Sequence, residues 1–89
     1  MSGFKLRVND EQHSIDIQNA AFAKGFSWSS KKAIQYPEAK YLYLEKDMQL
    51  MKGLTENFFV EDTNEEISLE DIPNICTKTW TIKTPANRS

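Results

Sequence analysis

The stretch KYLYLE, residues 40–45, decides the fold, because its large side chains alternate with a period of two. In an extended chain the two tyrosines fall on one side and the two leucines on the other. Residues 46–47 then begin a turn, and residues 48–54 can return beside the first strand. The pattern predicts an antiparallel β-hairpin with one aromatic face and one aliphatic face.

A strand and a helix are predicted before this hairpin. The segment FKLRV, residues 4–8, alternates apolar and basic side chains, as a half-buried strand does. Residues 9–12 suit a helix start, with Asn9 as the cap and Gln12 completing a capping box. The helix should end before Gly25, because glycine readily adopts the left-handed conformation that stops a helix.

Shorter elements complete the predicted architecture. Phe26 and Trp28 point to the same side of a short strand. Residues 58–60 are predicted to form a strand or an anchored bend, and residues 78–82 alternate as a final strand. Between these two segments, a single helical turn is ended by Pro73.

These elements predict an α+β fold in which one N-terminal helix packs on a small, mostly antiparallel sheet. We expect a single domain over residues 1–84 and a flexible C-terminal tail at residues 85–89. With only one helix available, one face of the sheet should stay partly open. This open face is where we expect the function to lie.

Size, charge and cysteine content limit the class of protein. The chain has 89 residues, a formal net charge of -2 and one cysteine, Cys76, so no intrachain disulfide can form. No apolar run reaches the length of a signal peptide or a membrane span. A weakly acidic chain also lacks the strongly basic face that nucleic-acid-binding proteins usually carry. We therefore predict a cytoplasmic protein with no membrane contact.

An acidic segment lies in the C-terminal half of the chain. A calcium loop starting at Asp62 would put Ile67 where glycine is needed and Pro73 where a bidentate glutamate is needed, which excludes that site. The acids are closely spaced around turn residues, and this favours a solvated edge over a catalytic pair. Docking against a basic partner is the alternative. The carboxylates concerned are Glu61, Asp62, Glu65, Glu66, Glu70 and Asp71.

The remaining reactive residues do not assemble into a catalytic site. His13 and Cys76 are the only histidine and cysteine, which is too few ligands for zinc. As a nucleophilic pair they lack both a glycine-rich elbow and a third, orienting residue. Gly3, Gly25 and Gly53 are isolated, so no phosphate-binding loop is present. We predict no catalytic residue, no metal, no cofactor and no enzyme activity.

The aromatic residues allow two interpretations. In one, an aromatic sheet face edged by lysines stacks nucleic-acid bases, each worth about 1–3 kcal/mol. In the other, the tryptophans fill the core and the tyrosines form an outer face that binds a protein. We favour the second. The alternative nucleic-acid face would comprise Trp28, Lys31, Lys32 and Tyr36.

The predicted partner-binding surface combines the central strand with an acidic flank. Because its tyrosines are expected outside the core, replacing both by alanine should abolish partner binding and leave the melting temperature nearly unchanged. The predicted contact residues are Lys40, Tyr41 and Tyr43 on the strand, with Glu61, Asp62, Glu65 and Glu66 as the flank.

Three segments, GFSW (25–28), KYLYL (40–44) and EEISLEDI (65–72), together resemble the layout of small accessory proteins encoded by tailed bacteriophages. In those proteins a short helix ending in glycine and an aromatic strand precede a hairpin and an acidic turn. The resemblance covers about residues 4–72. It implies a non-catalytic product that binds and modulates or inhibits a host protein in the host cytoplasm, in host takeover or anti-defence. The resemblance assigns no catalytic residue to this chain. Homodimerisation through an exposed strand edge is compatible with so small a sheet.

Overall fold

The hairpin expected at residues 40–54 forms the centre of the structure. The computed structural model describes residues 3–82, so the end of the predicted domain and the predicted tail at residues 85–89 lie outside the described residues. The elements, in chain order, are β1 (Phe4–Arg7), α1 (Glu11–Lys24), β2 (Tyr41–Leu44), β3 (Leu50–Gly53), α2 (Glu56–Glu61), β4 (Glu65–Glu66), a 3₁₀ helix (Leu69–Asn74), β5 (Ile75–Cys76) and β6 (Thr81–Ile82).

Four of the strands form one mixed sheet in the order β3-β2-β1-β4. β2 is antiparallel to both β1 and β3, whereas β4 adds to β1 in the parallel direction. Tyr43 of β2 lies between Lys5 and Met51 of its neighbours. β5 and β6 pair separately as a two-stranded ribbon. The predicted α+β class is confirmed.

The leucine face of β2 carries the main core. Leu42 and Leu44 are fully buried together with the apolar side chains of β1. Ile17 and Ala21 of α1 pack into the same cluster, and the 3₁₀ helix lies against α1. Each leucine or isoleucine removed from water contributes about 1.5–3 kcal/mol. This cluster therefore supplies most of the apolar burial that holds α1 on the sheet.

Local hydrogen bonds set the two ends of α1. Asp10 caps the helix from an extended conformation, and its Oδ1 accepts the His13 N–H at 2.7 Å. The predicted cap, Asn9, instead donates its N–H to His13 Nδ1 at 3.0 Å, so that prediction is wrong by one residue. Gly25 has φ 106°, and the N–H groups of Gly25 and Phe26 donate to carbonyls of the last turn. The predicted glycine stop is confirmed.

Three segments differ from their predicted conformations. Residues 58–60 belong to the helix α2. The short strand predicted at Phe26 and Trp28 is replaced by two isolated bridges, from Ser27 to Gln49 and from Trp28 to Lys31. Only the last two residues of the 78–82 run are extended, as β6. Short apolar runs fit a helix and a strand equally well, so tertiary packing decides between them.

Both tryptophans contact the main core. Trp28 is 7% exposed, as the core interpretation requires. The ring centroid of Trp80 lies 6.0 Å from that of Phe4 and 5.9 Å from that of Phe26. Trp28 is thus part of the core, whereas Trp80 is partly buried against it.

A buried amide connects α1 to the irregular segment 29–39. Gln18 is fully buried, and its Nε2 donates to Ser14 Oγ at 3.1 Å and to the Gln35 carbonyl at 2.8 Å. Its Oε1 accepts the Trp28 Nε1–H at 2.9 Å and the Gln35 N–H at 3.1 Å. Every hydrogen-bonding position of this amide is filled, which is the condition under which a buried polar group stabilises a fold.

Replacing Gln18 by alanine should lower the free energy of unfolding by about 2–4 kcal/mol, because it leaves a cavity and several unpaired groups around Trp28. Urea denaturation followed by tryptophan fluorescence measures the loss. Gln12→Ala, on the exposed side of the same helix, is the control and should change little. Equal stability of the two variants would show that the network contributes nothing.

Candidate functional site

The tyrosine face of β2 is covered by α2. Tyr41 and Tyr43 are 8% and 2% exposed, and they form a second buried cluster with Phe59. The Tyr41 and Phe59 rings are stacked with their centroids 4.7 Å apart. The prediction of an open, tyrosine-lined sheet face is therefore wrong, because a second helix buries it. Replacing these tyrosines would remove a core, not a free surface.

Lys5 of β1 holds α2 against the sheet through hydrogen bonds to backbone carbonyls. This lysine is only 6% exposed, and its ammonium lies 4.6 Å from the centre of the Phe59 ring. Its Nζ donates to the carbonyl of Phe59 and, at 2.8 Å, to the carbonyl of Asp62, at the C-terminal end of α2. The negative end of a helix favours a cation at this position. Sequence reasoning missed this role, because lysine is rarely buried.

An ion-pair group fixes the other end of α2. Arg7 Nε lies 3.0 Å from Glu66, and Arg7 Nη1 lies 3.4 Å from Glu56. Tyr41 donates its hydroxyl to Glu56 Oε1 at 2.9 Å. That hydrogen bond is the main cause that raises the pKa of Tyr41 above its ordinary value. These exposed pairs contribute little energy individually, and they orient α2 more than they stabilise it.

Beside the hairpin, α2 and β3 enclose an open cleft of about 630 Å³, which we call the tyrosine cleft. Its floor is aromatic and apolar, since Tyr43 and Phe58 meet edge to face with centroids 5.9 Å apart. Its rim carries three carboxylates and two lysines. The lining residues are Tyr43, Glu45, Lys46, Asp47, Met51, Lys52, Phe58 and Asp62.

Exposed apolar side chains concentrate in residues 51–60, and two of them, Met51 and Phe58, line this cleft. Met51, Leu54, Phe58 and Val60, called the apolar patch below, are 53%, 61%, 60% and 58% exposed. Phe58 and Val60 flank Phe59, the one residue of α2 that is buried. The only sequence signal for this patch was the run FFV at residues 58–60, and a six-residue helix is too short for its periodicity to be recognised.

The structure separates the predicted acidic flank. Glu61 and Asp62 lie at the end of α2, and only Asp62 lines the tyrosine cleft. Glu65 and Glu66 form β4, at the edge of the sheet opposite β3. Glu66 is paired with Arg7. The predicted contact set is thus not one surface; Lys40 is exposed as expected, next to the buried Tyr41.

The predicted nucleic-acid face is changed by the burial of its tryptophan. Trp28 donates its indole N–H to Gln18 inside the core, so its ring is not free to stack on a base. Tyr36 is 41% exposed and packs edge to face on Trp28 at 5.2 Å. Lys31 and Lys32 are exposed. A second cleft of about 310 Å³, the tryptophan cleft, is lined by Trp28, Ser29, Tyr36, Leu50, Met51 and Lys52.

Reactive side chains are dispersed in the part of the chain that is described. Within residues 3–82 no three His, Cys, Asp or Glu side chains are grouped so that they could hold a metal ion. His13 is half-buried, and its Nδ1 accepts the Asn9 N–H. No helix among these residues has the length and apolar character to cross a membrane.

The Tyr43 hydroxyl is a buried polar group that has no hydrogen-bond partner among residues 3–82. Burial, with a smaller contribution from the nearby Asp62 charge, raises the pKa of Tyr43 to about 12. Gly53 lies opposite Tyr41 and diagonally across from Tyr43, and a Cβ at Gly53 would come within 2.7 Å of the Tyr43 ring. The ring and hydroxyl are therefore packed between α2 and the backbone of β3.

Comparison of the chain with protein-family models, with curated proteins and with solved structures gives no significant match.

Replacing Tyr43 by phenylalanine should raise the free energy of unfolding by about 1 kcal/mol, because it removes a buried hydroxyl that lacks a partner. Thermal unfolding followed by circular dichroism measures the change. Tyr41→Phe is the matched control and should lose stability, since it deletes the hydrogen bond to Glu56. A less stable Tyr43→Phe protein would contradict the assignment.

The same residue predicts a loss of stability at high pH. The unfolded chain releases the Tyr43 proton near its ordinary pKa of about 10, whereas the folded protein holds it to about 12. The free energy of unfolding should therefore fall as the pH rises through this window. In Tyr43→Phe the fall should be shallower, and identical pH profiles would refute the shift.

Proposed function

We propose that this chain is a non-catalytic accessory protein of the bacteriophage kind, which binds a host protein in the host cytoplasm and modulates or inhibits it. It acts by covering a surface that the larger partner needs. It requires no cofactor and no catalytic residue. The contact surface is the apolar patch together with the adjoining tyrosine cleft.

The observation that carries the proposal is the exposure of apolar side chains in the segment that contains β3 and α2, two of which, Met51 and Phe58, line the tyrosine cleft. Among the described residues, four of the six large hydrophobic side chains that are exposed lie between residues 51 and 60. An apolar surface with a polar rim is typical of protein-binding sites. Glu45, Asp47 and Asp62 supply acidic groups on that rim.

Phe58 is the anchor of this surface. Its ring is 60% exposed, yet one edge rests on the buried Tyr43 ring. An aromatic side chain that is already held in position loses little conformational freedom when a partner covers it. Aromatic residues of this kind carry much of the energy at interface centres. Tyr43 therefore supports the contact from beneath, without forming it.

The test is capture of partners from bacterial lysate on the tagged chain. The surface variant is Met51→Thr with Phe58→Ser, and the control is Ile34→Ser, which changes an exposed hydrophobic side chain that belongs neither to the apolar patch nor to the lining of the tyrosine cleft. Each preparation is washed at low and high salt, with and without nuclease. Circular dichroism confirms that the variants are folded.

A stoichiometric protein that resists nuclease and high salt, binds the control and is lost from the surface variant supports the proposal. Retention by the surface variant would contradict the assigned surface. Material lost on nuclease treatment, or with the steep salt dependence of phosphate contacts, would indicate nucleic acid instead. In that event Tyr36 with Lys31 and Lys32 becomes the surface to mutate.

A further inference from the structure

β3 has an outer edge whose polar backbone groups can be identified from the hydrogen-bond pattern. The Glu45 N–H donates to the Gln49 carbonyl at 3.0 Å, which fixes the phase of the β2–β3 ladder. Bonded and non-bonded pairs alternate in an antiparallel ladder, so Met51 and Gly53 bond to β2. The N–H and C=O groups of Leu50 and Lys52 must then point away from β2.

Only part of this edge is covered. Ser27 accepts the Leu50 N–H at 2.9 Å, and it donates to the Met48 carbonyl at 3.0 Å. The chain then turns away, because Ser29 and Ser30 adopt φ values of 46° and 75°. Within residues 3–82 no further strand lies beside β3. The Leu50 carbonyl and both polar backbone groups of Lys52 are left on the outer edge.

The two clefts border this edge. Both are lined by Met51 and Lys52. The side chain of Met51 lies on the α2 side of the sheet, with Tyr43, whereas that of Lys52 lies on the α1 side, with Leu42. Alternate side chains of an added strand point to opposite faces in the same way. Successive side chains of a strand added beside β3 would therefore point alternately toward the tyrosine cleft and the tryptophan cleft.

We propose that β3 receives an extended segment of the partner protein as an additional strand, with an acidic side chain beside Lys52 and a neighbouring basic side chain in the tyrosine cleft. Backbone hydrogen bonds supply the affinity in this mode of recognition, and the clefts supply the specificity. The inference rests on the proposed function, since it specifies how the partner is bound.

The charges around the edge select these side chains. The tyrosine cleft has an apolar floor and a rim of three carboxylates and two lysines, and the excess of carboxylates suits the stem and charge of an added lysine or arginine. On the other face, the Lys52 ammonium lies 5.0 Å from the centre of the Tyr36 ring. Among the described residues it forms no ion pair with a carboxylate. An acid opposite Lys52 would supply that pair.

Charge and hydrogen bonding also argue against a second copy of this chain as the added strand. Ser27 already occupies the Leu50 N–H. The Leu50 carbonyl and the backbone groups of Lys52 remain on the edge of β3. If two copies of β3 pair symmetrically and antiparallel through these groups alone, Lys52 of one copy lies opposite Lys52 of the other. Like charges directly opposite each other destabilise a strand pair, and an edge lysine is a common device against such pairing.

The experiment selects short linear peptides from a random library on the intact protein and compares two variants, Lys52→Pro and Lys52→Ala. Both variants lose the ammonium group, but only proline also removes the outward backbone N–H of residue 52. β2 does not use this N–H, and proline is tolerated at such edge positions. We expect Lys52→Pro to bind the selected peptides about tenfold more weakly than Lys52→Ala, through the lost hydrogen bond and its blocked edge. Selected sequences should alternate basic and acidic residues, and selection on Lys52→Ala should lose the acid.

Hydrogen exchange on the unmodified protein gives a second readout should Lys52→Pro fail to fold. Peptide binding should protect the Lys52 amide. Equal affinity of the two variants, an unprotected Lys52 amide, or failure to select any peptide would overturn strand addition. A dimer of the free protein that Lys52→Pro dissociates would overturn it too, by assigning the edge to a second copy. Absence of a lysate partner bears on the proposed function alone, because peptide binding is measured independently.

Discussion

The contact between the Lys5 ammonium and the end of α2 is the constraint on which the candidate surface depends. A buried charge is costly unless its donors are satisfied. Here it meets two carbonyls at the negative end of a helix and lies on the face of Phe59. Six residues of helix could not stay ordered in isolation. Docked in this way, α2 closes the second face of the sheet and creates the tyrosine cleft. It also turns Phe58 and Val60 outward, so the burial of one lysine is linked to the exposure of an apolar surface.

Period-two patterning predicted the central hairpin, because alternation depends only on the geometry of an extended chain. The stop of α1 was predictable for a similarly local reason, the left-handed conformation of Gly25. The cover over the tyrosine face was not predictable. Alternation reveals that two faces differ, but it does not say which face another element covers. The element that covers this one, α2, is too short to show a helical period, and its anchor is a lysine in a strand that looked half-exposed.

The acidic segment illustrates the same limit for the candidate site. Its carboxylates are close in sequence, yet each has a different structural setting. Asp62 borders the tyrosine cleft, Glu66 pairs with Arg7, and Asp71 accepts the Ser68 N–H in a capping box. The surface argued to bind a partner instead combines β3 and α2 with carboxylates from two distant segments, and only the fold reveals that combination.

Ser29 and Ser30, which turn the chain away from β3, have a consequence for how this protein can diversify. Ser27 bridges to the chain at the start of β3, and the chain leaves the sheet edge at Ser29. The length of the open edge is therefore set by a loop and not by the strand itself. Residues that resist left-handed backbone angles at positions 29 and 30 would favour continued pairing and shorten the edge. The span available to a ligand could thus change by substitutions that touch neither the ligand nor the core. Evolution of specificity would then require no alteration of the scaffold.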